Sequence, residues 1–369
     1  MRRRQTRSVE LGNVGIGSAF PVTLQTMTNV PLADVGKSLE QIERCALAGC
    51  DIIRAAIDDE AAEKAHPEVI KNSPIPLVAD IQFHWESALA AIKAGIAGVR
   101  LNPGLLKDEE KLRPIAQLAR AHNTCIRVGA NGGSVNPKEL QANLSKFPSF
   151  EEAMADLLFR NALEQCEALE KQGVRNIKVA LKSSSIPVTL ASYRKFAAET
   201  DYPLHLGLTE SGPPSRGIIK SASVLSVLFS EGIGDTVRIS LTADPEEEVI
   251  AAKKLLEACG LRTPGTELVS CPSCGRTQFD LFGLTARVEE LLDGMERSGV
   301  ECTFKKVAVM GCPVNGPGEA RDADLGIAGS REGKVILFRS GVVQGTFDAE
   351  EGFALFKKQL LENSVKRRK

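Results

Sequence analysis

Short apolar runs alternate with amphipathic stretches over the first 260 residues of the chain. Each apolar run ends in polar residues and is followed by apolar positions at helical spacing, a pattern that predicts repeated strand–helix units. The predicted strands cover residues 22–27, 51–55, 77–81, 98–101, 125–128, 176–180, 204–207 and 236–240. Helices are predicted between them, including residues 38–48, 85–94, 150–171, 188–199, 218–229 and 245–258.

Eight strand–helix units in about 240 residues predict an α/β fold, a (β/α)8 TIM barrel. A doubly wound open sheet is the alternative. That architecture usually has fewer strands and a phosphate-binding loop near the first one, and no such glycine motif occurs there. The alternating, glycine-containing start over residues 2–19 predicts a hairpin that closes the bottom of the barrel.

The pattern breaks around residues 261–267, where Pro264-Gly265 indicates a turn or linker. Beyond it, strands are predicted at 268–270, 306–310, 334–338 and 342–345, and helices at 284–294 and 349–363. The predicted domains are therefore a barrel over residues 1–260 and a small α+β domain over residues 268–369.

Composition narrows the class of protein. The 369 residues carry a net charge of −1, which argues against bulk binding to nucleic acid or to a membrane surface. No apolar run approaches the roughly 20 residues that span a bilayer, and the basic start lacks a signal-peptide core. The nine cysteines show no disulfide framework, so we expect reduced thiols in a cytoplasmic protein. Six of them lie in apolar patterns typical of core residues, namely Cys45, Cys50, Cys125, Cys166, Cys259 and Cys302.

The other three cysteines form a candidate metal centre in the second domain. Cys271 and Cys274 are separated by two residues, and Cys312 lies in a loop rich in glycine and proline that continues to Glu319. Three thiolates with a carboxylate, or with an open position, describe an iron–sulfur cluster that has one reactive iron.

Structural zinc is the alternative for this centre. No histidine follows His205, so zinc would need a fourth thiolate. Cys302 is the remaining cysteine of the domain, and it lies in a strand-like run. The residues favour iron and sulfide over zinc.

Basic side chains mark the ends of the predicted barrel strands, where TIM barrels carry their active sites. Opposed by only two acids, Asp80 and Glu210, they would repel each other unless an anion lay between them. Arginine favours bidentate contacts with phosphate, so we expect a small substrate with several negative charges, such as a diphosphate. The basic residues are Arg54, Arg100, Arg127, Lys182 and Arg238, and the polar residues beside them are Asn131, His205 and Ser240.

Chain direction predicts an assembly. Each barrel helix returns the chain to the bottom face, so the eighth helix delivers the second domain opposite the mouth. A linker of about eight residues spans at most ~28 Å. If the two sites cooperate, a head-to-tail homodimer is expected, with each cysteine domain covering the barrel of its partner.

The residues leave two further classes open. One is a barrel transferase similar to dihydropteroate synthase with an appended zinc module, which would be colourless and insensitive to oxygen. The other is an iron–sulfur electron carrier or redox sensor, for which the basic mouth would have no purpose.

Runs over nearly the whole chain match one family. The most specific are Ser270-Cys-Pro-Ser-Cys-Gly-Arg276 and Gly311-Cys312, which continues through Asn315-Gly-Pro-Gly-Glu319-Ala320. The others lie at residues 24–29, 48–54, 76–81, 99–104, 126–131, 203–210 and 231–238. On these residues the chain resembles the 4-hydroxy-3-methylbut-2-enyl diphosphate synthase family of the non-mevalonate isoprenoid pathway, in its two-domain bacterial form.

The resemblance implies an oxidoreductase. Its substrate would be 2-C-methyl-D-erythritol 2,4-cyclodiphosphate, which two electrons from reduced flavodoxin or ferredoxin convert to 4-hydroxy-3-methylbut-2-enyl diphosphate and water. The family works as a homodimer of the kind described above. Its [4Fe-4S] cluster is held by three cysteines and a glutamate, which correspond to Cys271, Cys274, Cys312 and Glu319.

The implied roles divide between the two domains. The basic residues would anchor the diphosphate, assisted by Asn131, His205 and Ser240. Protons for the departing oxygen would come from Glu319, Asp80 or Glu210, and Asn315 would orient a group near the cluster. The chain departs from the family pattern at Gln82, where histidine is usual, and at residues 105–107, where Asn-Ile-Gly is usual.

Overall fold

The computed structural model describes residues 3–57, 59–82, 84–103, 108–277, 279–314, 318 and 320–366. The chain divides into two compact units, Met1–Arg262 and Thr263–Lys369. Among the described residues, no helix combines the length and apolarity that crossing a membrane requires.

A parallel barrel forms the first unit. A hairpin of β1 (Val9–Leu11) and β2 (Val14–Ile16) precedes it. The strands of the barrel are β3 (Thr23–Met27), β4 (Ile52–Ala56), β5 (Leu77–Ile81), β6 (Gly98–Leu101), β7 (Cys125–Asn131), β8 (Ile177–Lys182), β9 (His205–Leu206) and β10 (Thr236–Val237). They form an eight-stranded sheet in the order β8-β7-β6-β5-β4-β3-β10-β9, and a parallel bridge from Val179 to Leu204 joins its two ends. The expected TIM barrel is confirmed, and the alternative of an open sheet is wrong.

Helices follow the barrel strands, as the amphipathic stretches predict. Side-chain caps start several of them: Asp59 and Ser149 accept hydrogen bonds from the backbone N–H of Ala62 and Glu152, at 2.7 and 3.2 Å. The helices are α1 (Val35–Ala48), α2 (Glu60–Asn72), α3 (Trp85–Lys93), α4 (Glu109–Ala121), α5 (Pro137–Leu144), α6 (Phe150–Lys171), α7 (Ile186–Glu199), α8 (Pro214–Ser230) and α9 (Pro245–Ala258).

The hairpin closes the bottom of the barrel, as the sequence predicts. Its buried Leu11 and Ile16 share a core cluster with Ile52, Val78 and Cys125, which lie at or near the first residues of their strands. Polar side chains at the other ends of the strands therefore face an open mouth.

In its described residues, the second unit is a mixed sheet with two α-helices. Its elements are β11 (Glu267–Ser270), α10 (Leu281–Arg297), β12 (Val300–Cys302), β13 (Lys306–Met310), β14 (Leu325–Gly329), β15 (Val335–Arg339), β16 (Val342–Phe347), α11 (Ala349–Glu362) and β17 (Ser364–Lys366). Strands β11, β13 and β14 run parallel, and β15 and β16 continue the sheet antiparallel. Apolar positions on both helices, among them Val288 and Phe356, form one core with Val307, Ile327 and Leu337 of the sheet.

Strand β14 lies in the middle of this sheet, although its sequence did not indicate a strand. Two glycines, Gly326 and Gly329, interrupt its apolar pattern. The ring of Phe338 on the neighbouring strand fills the space above Gly326, where an added Cβ would lie 2.0 Å from the ring. A cross-strand contact therefore stabilises a strand that has weak local propensity.

Candidate active site

Charged residues on four adjacent strands are register partners inside the barrel. Asp80 pairs with Arg100, Arg100 with Arg127, and Arg127 with Lys178, on β5 to β8. Paired residues of a parallel sheet point to the same face, and all four are buried here. The barrel therefore presents a row of three cations and one carboxylate to its interior.

Asp80 fixes two guanidinium groups. Its Oδ1 accepts a hydrogen bond from Arg100 Nη1 at 3.0 Å, and its Oδ2 lies 3.6 Å from Arg54 Nε. The amide of Gln82 also donates to Oδ1, at 3.0 Å. This environment suits a residue that holds arginines in place better than one that releases a proton.

Arg127 has two unused donors. Its Nε and Nη1 are buried and have no hydrogen-bond partner among the described residues. Burial, and then the charges of Arg100 and Arg238, lower the pKa of Arg127 to about 10. Buried donors of this kind are costly unless a ligand satisfies them, so the mouth is arranged for an anion.

Two lysines and a histidine line the same interior. Lys178 Nζ lies 3.2 Å from Gln25 Oε1, and burial lowers the pKa of Lys178 to about 8. Lys182 packs over Gly207, where an added Cβ would lie 2.8 Å from its Nζ. Burial, followed by Arg127, lowers the pKa of Lys182 well below its usual range.

The ring of His205 is completely buried, and neither nitrogen has a partner among the described residues. Burial, and then Lys182 and Arg127, hold the pKa of His205 well below its usual range. The imidazole is therefore neutral near pH 7, with one N–H to donate and one nitrogen to accept.

The carboxylate of Glu248 holds the guanidinium of Arg238 in place. The guanidinium donates from Nε to Oε2 at 2.9 Å and from Nη2 to Oε1 at 3.2 Å. Glu248 lies in the first turn of α9, which brings the carboxylate close to the strand ends. Its own side chain is only 4% exposed.

The other predicted barrel residues lie at the rim. Asn131 ends β7 and lines a cavity of about 130 Å³ between β7, α5 and α6. Ser240 is half-buried beyond β10. Glu210 is exposed after β9, with a left-handed backbone (φ 55°). All three are near the strand ends, but none contributes to the buried charged row.

In the second unit, sheet topology brings Cys271 and Cys312 to one edge. Strands β11 and β13 are parallel and in register from Glu267–Lys306 to Ser270–Val309, and each leads directly into its cysteine loop. The backbone N–H of Gly311 donates to Cys271 Sγ at 3.0 Å. A Cβ on Gly311 would lie 3.2 Å from this sulfur, so glycine permits the close approach.

Cys274 lies in an exposed turn after Cys271. The backbone and side chain of Arg276 lower the pKa of the Cys274 thiol, which favours the thiolate that metals bind. No three His, Cys, Asp or Glu side chains of the described residues are arranged to hold a metal ion. Asn315 and the predicted fourth ligand, Glu319, lie outside the described residues.

The position of Cys302 bears on the zinc alternative. Cys302 ends β12, which pairs with β17, so it precedes β13 while Cys312 follows it. The five residues of β13, roughly 17 Å long at ~3.3 Å per residue, lie between the two cysteines along the chain. Cys302 therefore does not complete a four-thiolate zinc site, and the three remaining thiolates suit a cluster with a different fourth ligand.

Two buried charged residues of the barrel were not predicted from the sequence. Lys178 lies four residues before Lys182 on the same strand, so the alternation of β8 would have placed both side chains inward. Glu248 resembles an ordinary acidic residue in the first turn of a helix, and the sequence gives no signal of its contact with Arg238.

Together these features define a TIM-barrel enzyme with a cationic mouth and an appended cysteine-bearing α+β domain. Residues 6–253 match the GcpE TIM-barrel domain, and residues 267–362 match the GcpE protein C-terminal domain. The chain belongs to the GcpE family.

Curated relatives share most of the chain. A protein of Desulfotalea psychrophila is 44% identical over 360 residues, which cover 98% of this chain and 96% of the relative. One of Maridesulfovibrio salexigens is 46% identical over 343 residues, covering 93% and 92%. Both are named 4-hydroxy-3-methylbut-2-en-1-yl diphosphate synthase (flavodoxin).

A solved structure shares the barrel fold. N-acetylneuraminic acid synthetase of Leptospira borgpetersenii superposes with a TM-score of 0.50 at 13% identity. The match covers 71% of this chain and 92% of that one. At this identity the likeness extends to the fold alone.

Proposed function

We propose that the protein opens the ring of 2-C-methyl-D-erythritol 2,4-cyclodiphosphate by reduction. With substrate and product both written as neutral acids, two electrons and two protons convert the substrate to 4-hydroxy-3-methylbut-2-enyl diphosphate and water. The observation that carries this proposal is the buried cationic row, in which Arg127 retains unpaired donors suited to a diphosphate. The names of the relatives support the same reaction.

The barrel residues bind and orient the substrate. Arg127 and Lys182 contact the diphosphate most directly, while Asp80 holds Arg54 and Arg100 at the correct angle beside it. Neutral His205 donates a hydrogen bond without adding another positive charge. Asn131 and Ser240 supply uncharged contacts at the rim. Fixing both phosphates orients the carbon skeleton for reduction.

We assign that centre to a [4Fe-4S] cluster held by Cys271, Cys274, Cys312 and Glu319. When bound, such a cluster supplies the electrons and a Lewis-acidic iron for the departing oxygen. Asn315 orients a group beside it. The exposed Glu210 is the barrel carboxyl best placed to deliver a proton, because Asp80 is engaged by two arginines.

Reduced flavodoxin is the proposed electron donor, with ferredoxin as the alternative. The substrate site and the cluster are proposed to meet in a head-to-tail homodimer. Arg262, the last residue of the first unit, pairs with Asp51 immediately before β4. The chain therefore leaves the barrel at the bottom, opposite its own mouth. None of the nine cysteines forms a disulfide, which suits a reducing cytoplasm.

The test is anaerobic purification, followed by iron, sulfide and zinc analysis and by turnover of the cyclodiphosphate with reduced flavodoxin. We expect four irons per chain and formation of the linear diphosphate. A colourless protein that contains zinc would indicate the transferase class instead. A cluster-bearing protein that transfers electrons without consuming the cyclodiphosphate would indicate an electron carrier.

Glu319→Gln tests the proposed fourth ligand. We expect the cluster to assemble in part and turnover to be lost, because the amide is a poor substitute for a carboxylate ligand. Unaltered turnover by this variant would refute the assignment.

A further inference from the structure

We propose that Glu248 is a positioning residue for anion binding, which acts by fixing the guanidinium of Arg238 in the barrel mouth. The inference rests on the proposed function, because it assigns Arg238 to the substrate. Glu248 itself need not touch the ligand.

Four hydrogen bonds converge on this carboxylate. Oε2 accepts from Arg238 Nε at 2.9 Å and from Thr26 Oγ1 at 2.6 Å. Oε1 accepts from Arg238 Nη2 at 3.2 Å and from the backbone N–H of Leu241 at 2.9 Å. A bidentate contact defines the plane of the guanidinium as well as its position, and the other two bonds fix the carboxylate.

The contacts join three separate segments of the mouth. Thr26 belongs to β3, Arg238 directly follows β10, and Leu241 lies in the loop that leads to α9. Strand β10 has only two residues, and the backbone N–H of Arg238 donates to the carbonyl of Leu206 at 3.0 Å, which holds the main chain but not the guanidinium. Glu248 therefore provides much of the restraint on the side chain of Arg238.

The geometry leaves one edge of Arg238 for a ligand. Its Nε and Nη2 face Glu248, while Nη1 lies 3.7 Å from the sulfur of Met27, a weak acceptor. An anion in the mouth offers Nη1 a stronger partner. The carboxylate also partly opposes the repulsion among the mouth cations, since its charge raises the pKa of Lys182 against the larger effects of burial and neighbouring arginines.

A neighbouring glutamate supplies a matched control. Glu246 lies in the same first turn, is similarly buried and also pairs with an arginine, Arg44 of α1. That pair lies outside the charged row. Glu246→Gln therefore removes the same charge from the same helix without affecting Arg238.

The experiment is a double-mutant cycle on pyrophosphate binding, measured calorimetrically on the full chain with its cluster reconstituted under anaerobic conditions. We expect Arg238→Gln and Glu248→Gln each to weaken binding about 10-fold, the loss of roughly one charge-assisted hydrogen bond. The double variant should bind no more weakly than Arg238→Gln, because Glu248 acts through Arg238. Glu246→Gln should bind like the wild type.

Additive losses in the cycle, or wild-type binding by Glu248→Gln, would overturn the inference. If Glu248→Gln does not fold, Glu248→Asp serves in its place. This variant retains the charge but moves it away from Arg238 by one methylene, so pyrophosphate binding should weaken less than in Arg238→Gln. Binding as tight as that of the wild type would again contradict the role. A wild-type protein that fails to bind pyrophosphate would refute the proposed function itself, and with it this inference.

Discussion

Arg100 and Arg127 are register partners on neighbouring barrel strands, yet they differ in how their donors are used. Arg100 donates from Nη1 to Asp80 at 3.0 Å and has one buried donor, Nε, without a partner among the described residues, whereas Arg127 has two such donors, Nε and Nη1. The pair thus combines a cation anchored by the protein with one kept available. This asymmetry leads to the first two predictions.

Arg127→Gln should weaken pyrophosphate binding by 10- to 100-fold, as expected for the loss of a charge-assisted contact of about 1.5–3 kcal/mol. The free energy of unfolding should stay the same or rise, because the substitution removes an unpaired buried cation. Calorimetry and urea denaturation measure the two effects. Arg194→Gln, at an exposed pair with Glu231, is the control and should alter neither. A strongly destabilised Arg127→Gln would contradict the prediction.

Asp80→Asn should destabilise the barrel. The amide keeps the shape of the side chain but leaves Arg54 and Arg100 without their carboxylate, which costs about 3 kcal/mol for a buried pair. Sulfate should restore part of the loss, because an anion that binds only the folded state stabilises it. Urea denaturation with and without sulfate measures both effects. Stability equal to the wild type would show that the pairs contribute nothing.

The stability of the protein should depend on Lys178 at alkaline pH. Its pKa of about 8 in the folded chain lies below the value of about 10.4 expected in the unfolded chain. Between these values the unfolded chain binds more protons, so the free energy of unfolding rises with pH. Relative to Lys178→Met, the wild type should gain about 2.4 kcal/mol from pH 8 to 10.4, most of the ~3 kcal/mol that the whole titration supplies.

Urea denaturation of both proteins across this range gives the difference. Lys93→Met, at an exposed position near the end of α3, is the control and should follow the wild type at every pH. A constant difference between the wild type and Lys178→Met would mean that Lys178 keeps an ordinary pKa.

The iron content of cysteine variants should distinguish Cys302 from the other cysteines of the second unit. After anaerobic reconstitution, Cys271→Ser, Cys274→Ser and Cys312→Ser should each lose most of the bound iron and its visible absorbance. Cys302→Ser should retain both, because Cys302 lies at the opposite end of β13 from Cys312. Loss of iron from Cys302→Ser would restore the four-thiolate alternative.

Much of the architecture follows from local sequence patterns. Strand–helix alternation predicts the barrel, because apolar periodicity reports which face of each element is buried. The cysteine spacing identifies the second site in the same way, since Cys271 and Cys274 are close along the chain whatever the fold. The basic strand ends could be grouped because all strands of a parallel barrel end at one rim.

The sequence by itself thus determined the fold class and the set of candidate residues, since both depend on short-range periodicity and chain direction. Tertiary structure alone decided which charges are paired. The contact of Glu248 with Arg238, the reach of Lys178 to Gln25 and the support of Gly326 by Phe338 all join different strands or helices. Such contacts depend on strand register and helix placement, which no local pattern encodes. They distinguish the arginines that Asp80 and Glu248 hold from Arg127, whose Nε and Nη1 have no partner in the described part of the chain.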